Sequence, residues 1–302
     1  MSRGRHPIPP PGRMLQVGDE TVHVVVAGSG PVVLIDSGLG GSSLEWARVA
    51  ADLASDFTVV RYDRPGFAWS PPGRPHTPVG AAERIVGLLH ALELRPPWIL
   101  VGHSMGGLHV RLVASLHPGD VAGLVMVDPS HEAMLDDADA IRSSRRFSKA
   151  VRLMVATTRF GTARLIGRAY ARVVAAQARQ PLDDETRTMM ETATQLTLCT
   201  THGLRAVAAE LVGLPAALRQ VADVTAQHPL PDIPLTVITA SAPARSGSER
   251  KARETIDALH ARQAAAVARG RQVYAERSGH LVPLDEPELI AQCVRETAKA
   301  AT

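Results

Sequence analysis

One turn limits the folds open to this chain more than any other feature: "WILVGHSMGGLHV", residues 98–110. An apolar, strand-like run ends in Gly102-His103-Ser104-Met105-Gly106-Gly107, and a helical pattern begins at once. A serine between strand and helix in so tight a turn takes a strained backbone conformation. Its flanking glycines are needed because side chains there would strike the neighbouring strand and helix. Such a turn lifts the Ser104 hydroxyl clear of a sheet. It also places the Met105 backbone N–H at a helix N-terminus, where it can stabilise an oxyanion. The bland alternative is a chance glycine turn, and the strand and helix on either side weigh against it.

Strand-like runs alternate with helical patterns elsewhere. "TVHVVVAG" (21–28) and "PVVLIDSG" (31–38) lead to a helix over about 43–54, then "DFTVVRYD" (56–63) and a helix over about 78–93. After the Ser104 helix come "VAGLVMVD" (121–128), "IPLTVITA" (233–240), a helix over about 250–268, "RQVYAER" (271–277) and a last helix over about 286–299. Near-continuous apolar strands separated by helices imply βαβ units and a mostly parallel sheet buried on both faces. From about 131 to 230 there is no convincing strand. That segment is rich in Ala, Arg, Leu and Thr, with helical spacing at Ile166, Tyr170 and Val173. The expected organisation is a flexible N-terminal arm (1–14), an α/β core (15–130 and 231–302) and a helical cap or lid (131–230). The cap covers the C-terminal sheet edge, where open α/β sheets bind ligands.

A serine hydroxyl needs a base to act as a nucleophile. "AERSGHLVPLDEPE" (275–288) offers His280 on a loop after the last strand. The twelve histidines include His103, which supports the turn, His109 on the following helix, and His23, His90 and His117, read as surface or turn residues. The usual place for an orienting acid, the loop after "LTVITA", reads "SAPARSGSERK", with no acid before Glu249. The strand before the cap ends "VMVDPSHE", so Asp128 can reach the histidine's far nitrogen and fix its tautomer; Glu132 is the reserve. A second oxyanion donor is expected from Ser37-Gly38-Leu39-Gly40-Gly41-Ser42, with the Leu39 N–H as the candidate.

These segments together resemble the α/β-hydrolase superfamily over nearly the whole chain: "DSGLGGSS", "YDRPGFAWS", "GHSMGG", "LVMVDPSHE" and "SGHLVPLDEPE". "SGLGG" stands where a His-Gly pair is commoner at the oxyanion loop. The resemblance implies an α/β-hydrolase fold and a serine nucleophile. It sets the chain apart from the superfamily's epoxide hydrolases and haloalkane dehalogenases, which use an aspartate there. In its acid before the cap and its compact glycine loop, the chain is also similar to thioesterases that release polyketide and polyether chains.

Composition narrows the partners. The 302 residues, 45% hydrophobic and 21% charged, suit a soluble globular enzyme, and the net charge is only +3. Residues 142–179, however, hold ten Arg or Lys and no Asp or Glu. Arg164, Arg168 and Arg172 repeat at i, i+4, i+8 as one stripe, which is either a solvated face or a docking face for something acidic. An acyl carrier protein with a thioester cargo is such a partner. Aromatics total 3%, too few to interleave with the basic residues as a nucleic-acid surface requires. No His, Asp or Cys cluster has metal-ligand spacing, so no metal or other cofactor is expected. Cys199 and Cys293 match no redox motif and fit a reducing cytosol. The Pro-rich start is no signal peptide, and no apolar run reaches a membrane span.

The expected activity is hydrolysis of a small-molecule ester or thioester, of sizeable apolar acyl type. A carboxylesterase, a lactonase, a non-hydrolytic cyclase and a ligand-binding protein on the same fold stay open.

Overall fold

The apolar runs become eight strands: β1 (Arg13–Val17), β2 (Glu20–Ala27), β3 (Val32–Asp36), β4 (Thr58–Tyr62), β5 (Trp98–His103), β6 (Val121–Val127), β7 (Leu235–Ala240) and β8 (Gly270–Ala275). The computed structural model describes residues 11–74, 76–136, 149, 152–153, 155–175 and 177–302. The strands form one sheet in the order β1-β2-β4-β3-β5-β6-β7-β8. The β1–β2 and β2–β4 pairs are antiparallel, and all the others are parallel. The helices are α1 (Ala47–Leu53), α2 (Pro78–Ala91), α3 (Met105–Leu116), α4 (Ala163–Ala175), α5 (Asp184–Thr197), α6 (Thr201–Gln227), α7 (Gly247–Ala264), α8 (Val282–Asp285) and α9 (Pro287–Ala301). The chain thus has the α/β-hydrolase fold expected of it.

Alternation along each central strand divides the core into two layers. Leu34 of β3 and Trp98 and Leu100 of β5 pack with Ile85, Leu88 and Leu108 of α2 and α3. Their neighbours Val33, Ile35, Ile99 and Val101 pack on the opposite face with Val49 and Leu53 of α1 and Ile290 and Val294 of α9. Fully burying such a side chain contributes roughly 1.5–3 kcal/mol. A sheet packed on both faces therefore holds its strand ends firmly. Register then sets the site: Asp36 lies beside Gly102, His103 beside Val127, and Val127 beside Ile238. Ser104 and Asp128 leave the sheet side by side at this edge.

Among the described residues, every regular element between β6 and β7 is helical: α4, α5, α6 and short turns at Glu132–Asp136 and Thr158–Phe160. A small cluster of Phe67, Ala163, Leu198, Leu204 and Val207, with Leu39 against it, joins this insertion to the core. No helix among the described residues is long and apolar enough to cross a membrane.

Two expectations need correction. The arm drawn over 1–14 runs too far, because Arg13 and Met14 already belong to β1, paired antiparallel with Val24 and His23. Residues 1–10 lie outside the described residues. His23 is not a surface residue. It is buried, and its Nδ1 and Nε2 lie 2.8 Å from Asp63 Oδ2 and 2.5 Å from the Pro11 carbonyl. Of the ten cations in 142–179, Arg142, Arg145 and Arg146 lie outside the described residues.

Candidate active site

Ser104 sits on the turn from β5 to α3 with φ 51° and ψ −116°, a sparsely populated conformation for a residue with a side chain. The glycines around it are sterically required. A Cβ on Gly102 would lie 2.4 Å from the Gly106 carbonyl oxygen, and one on Gly106 would lie 2.4 Å from the Asp36 carbonyl oxygen. Asp128, just past β6, is also strained at φ 42°. Both residues are held by backbone bonds to the next strand end, Ser104 N–H to Val127 O at 3.0 Å and Asp128 N–H to Ile238 O at 2.7 Å. Sheet packing can maintain such conformations, which cost about 1–3 kcal/mol each.

The loop after β8 brings His280 to both. Its Nδ1 lies 2.6 Å from Asp128 Oδ2, and its Nε2 lies 3.0 Å from Ser104 Oγ. Burial alone would raise the Asp128 pKa, but the His280 hydrogen bond and charge, helped by His260 and the Ala240 N–H, hold it below the usual value. An ionised carboxylate only accepts, so Nδ1–H donates to Asp128 and Nε2 is left to take the Ser104 proton. Burial likewise opposes charge on His280, yet Asp128 outweighs it and raises the imidazole pKa. The His280 side chain remains 46% exposed, so it is open to the cavity beside it.

The reserve acid Glu132, and Glu249 beyond the acid-free loop, stand elsewhere. Glu132 Oε2 accepts from Arg111 at 2.8 Å. Glu249 engages Arg179 and Arg253.

His103 braces the same loop. Burial, then the neighbouring His280, push its pKa down to about 3. It is therefore neutral, and its Nε2–H donates to the His280 carbonyl oxygen at 2.8 Å. The rings of His103 and His280 lie 4.7 Å apart between centroids.

Leu39 and the glycines beside it face Ser104 across a cavity of about 230 Å³, which His280 and insertion residues Val174, Met190, Leu198 and Val207 also line. The loop is held from below by a buried network that the sequence did not disclose. Arg64 donates to the carbonyls of Ser37 and Gly38, both at 2.6 Å, to Asp36 Oδ1 at 3.1 Å and to Glu210 Oε1 at 2.9 Å. Glu210, on α6 of the insertion, also accepts from the Gly40 N–H at 3.2 Å. Asp36 Oδ2 accepts from His109 Nδ1 at 2.5 Å, and His109 meets His76 through Nε2 atoms 3.1 Å apart. His76 Nδ1 lies 3.8 Å from Glu210, which closes a ring of five side chains. Burial would raise the Asp36 pKa, but Arg64 and His109 hold it far below normal. Burial, then His109, push His76 down to about 2. The signal for Arg64 was the "YDRPG" segment, but its partner Glu210 lies 146 residues away.

Arg164, Arg168 and Arg172 are exposed on α4, and none forms an ion pair among the described residues. The exposed side chains of Leu165 and Val173 interleave with them.

A model of the alpha/beta hydrolase family matches residues 32–292. Among curated proteins, the chain is 32% identical over 103 residues to the uncharacterized protein YqjL of Bacillus subtilis, covering 34% of this chain and 41% of that one. It is 36% identical over 126 residues to a fluoroacetate dehalogenase of Burkholderia sp, covering 38% and 40%. The chain thus spans less than half the length of these curated relatives. Among solved structures, an esterase from Thermogutta terrifontis matches over 96% of this chain and 98% of its own, with 20% identity and a TM-score of 0.68, a likeness of fold.

Proposed function

The chain belongs to the alpha/beta hydrolase family, and from that premise we propose that it is a serine hydrolase cleaving an ester or thioester through an acyl-enzyme. One observation carries this reading. Ser104 Oγ, His280 and Asp128 form a continuous hydrogen-bonded line, 3.0 and 2.6 Å, that opens on a cavity also lined by the glycine loop. Ser104 Oγ attacks the acyl carbon while His280 Nε2 takes its proton. The N–H groups of Leu39 and Met105 receive the charge that develops on the acyl oxygen, and each such donor is worth ~3 kcal/mol to the transition state. His280 passes the proton to the leaving atom, then activates water to release the acid. Asp128 keeps Nδ1 protonated and the ring in place.

The apolar lining by Leu39, Val174, Met190, Leu198, Val207 and Leu281 supports a sizeable apolar acyl chain under a helical cap. Arg164, Arg168 and Arg172 supply an exposed basic face on which an acyl carrier protein could present such a chain, as in polyketide release. The free thiols Cys199 and Cys293 accord with a reducing compartment such as the cytoplasm. The test is covalent labelling with a fluorophosphonate, read by mass at the Ser104 peptide. Label on Ser104 that is lost in Ser104→Ala supports the reading, and ester cleavage by a well-folded Ser104→Ala protein ends it. For the basic face, replacing all three arginines with glutamine should raise KM for a carrier-bound thioester at low salt, with little effect on a small neutral ester.

A further inference from the structure

The cavity beside Ser104 is walled largely by apolar side chains, yet one carboxylate belongs to its described lining, that of Glu45. Glu45 sits on the short turn Ser43–Trp46, directly after the glycine loop. No Lys or Arg lines this cavity among the described residues. An acid in such a wall calls for a physical reason, because a desolvated polar group without a partner costs stability.

Its surroundings supply no side-chain partner. The Ser42 backbone bonds to the Glu45 carboxyl group, and no side chain among the described residues does. The charge of Arg64 reaches it, but that guanidinium is already committed to Asp36, Glu210 and the carbonyls of Ser37 and Gly38. Asp63 opposes its ionisation, and is itself engaged by His23 and the Ser43 N–H. Burial outweighs Ser42 and Arg64 and pushes the Glu45 carboxyl up to about 7. Both the acid and the carboxylate are therefore present near neutral pH.

Position fixes which part of a substrate would meet it. The glycine loop links Ser104 to Glu45. A Cβ on Gly38 would lie 3.3 Å from Ser104 Cβ, and one on Gly41 would lie 2.8 Å from Glu45 Oε2. The Gly41 N–H donates to the Gly38 carbonyl oxygen at 3.1 Å, so the two glycines share one tight turn. In the reaction proposed above, the Leu39 N–H of this loop receives the acyl oxygen, and the leaving group takes its proton from His280. A substrate atom that reaches Glu45 from there belongs to the acyl part, a few bonds from the carbon under attack.

A hydroxyl suits this carboxyl group in both of its states. It donates to the carboxylate and accepts from the acid. An ammonium group would suit only the ionised form, and a negative charge beside the loop opposes the charge that develops on the acyl oxygen. We infer that Glu45 is a specificity-determining residue whose carboxyl group binds a hydroxyl at the second or third carbon of the acyl chain. The preferred substrates are then hydroxyacyl esters or thioesters with an apolar tail, held by Leu39, Val174, Met190, Leu198 and Val207. This inference deepens the serine-hydrolase reading and rests on it.

The experiment compares four N-acetylcysteamine thioesters on the whole protein: hexanoyl, 2-hydroxyhexanoyl, 3-hydroxyhexanoyl and 3-aminohexanoyl. The parent should cleave one of the hydroxyacyl thioesters with a kcat/KM about tenfold or more above that for hexanoyl. Glu45→Leu should lose most of that ratio. Glu45→Gln, whose amide both donates and accepts, should keep part of it. A merely structural role would lower all four substrates together and leave the ratio where it was. Calorimetric titration of Ser104→Ala with the same thioesters reads the preference without turnover, and adding Glu45→Leu should abolish it. A parent that labels with fluorophosphonate but treats hexanoyl and both hydroxyacyl thioesters alike, or a Glu45→Leu variant that keeps the parent's ratio, overturns the assignment and leaves the hydrolase reading standing. Preference for the 3-amino over both hydroxyacyl thioesters also overturns it, in favour of a cationic substrate. A parent that does not label, and whose hydrolysis survives Ser104→Ala, overturns the hydrolase reading instead.

Discussion

Two of the aspartate–histidine pairs at the C-terminal edge of the sheet, Asp128–His280 and Asp36–His109, differ in what they face, and of these two only the first meets a serine hydroxyl. Asp128–His280 (2.6 Å) opens on a cavity, and its Nε2 faces Ser104. Asp36–His109 (2.5 Å) is sealed, and its Nε2 faces the ring of His76. In both, the aspartate follows a parallel strand or ends one, and its pKa is held below normal, by His280 for Asp128 and by Arg64 and then His109 for Asp36. What differs is the third group and access to solvent. With a hydroxyl in front and room for substrate, the pair is arranged as a base. With Arg64 and Glu210 around it and no exposed surface, it is arranged as a brace for the glycine loop. Residue type alone does not separate the two.

The comparison breaks first, and hardest, at the nucleophile. Ser104→Ala should lower kcat by about a millionfold, as loss of a triad serine does, with no fall in melting temperature, because only one oxygen atom is lost. Turnover near the parent's level would make the two pairs equivalent. Next, Asp128→Asn should lower kcat by about 10,000-fold, since asparagine holds the geometry but favours the wrong imidazole tautomer. Asparagine also tolerates the positive φ, so the fold should persist.

The same variant carries a pH signature. His280 must be neutral to accept the Ser104 proton, so kcat/KM should rise with pH. The raised pKa puts that rise above the ~6.5 of a free imidazole. Without the Asp128 carboxylate, burial is the remaining influence and lowers the pKa, so the limb should move to lower pH in Asp128→Asn. A limb that stays put would show that Asp128 does not set it.

The sealed pair should behave in the opposite way. Asp36→Asn removes a buried carboxylate that both Arg64 and His109 bind, and breaking a buried charge network costs about 3–5 kcal/mol. The expected readout is a drop in the denaturation midpoint with the pH limb unmoved. Smallest of all, Glu132→Gln should change kcat/KM by less than about threefold, a surface-scale effect, because Glu132 touches Arg111 and not His280. A loss comparable to that of Asp128→Asn would reassign the acid.

The elements that the sequence made legible are those whose signal is local. Two-faced strands such as "VVLID" and "WILVGH" read as apolar runs, and the glycines around Ser104 are needed at positions fixed by the turn itself. Asp128 was reachable because the loop over 241–248 holds no acid. β1 escaped notice because an edge strand with the burial pattern of Arg13–Val17 is largely exposed and follows a Pro-rich start. His23 was misread because its burial depends on Asp63 and Pro11, which no spacing rule connects to it. The brace was hidden for the same reason: Asp36, Arg64, His76, His109 and Glu210 gather from five segments.

Glu210 carries a consequence for anyone who would recombine this protein. The helical insertion is not a free-standing module resting on a finished core, because one of its carboxylates binds both Arg64 and the Gly40 N–H under the glycine loop. A chimera that receives another protein's insertion would leave Arg64 with Asp36 alone and the Gly40 N–H without its acceptor, unless the donor also offers an acid at that point of its long helix. Exchange of the insertion should therefore succeed as a paired transplant of the donor's helix with a matching residue at position 64.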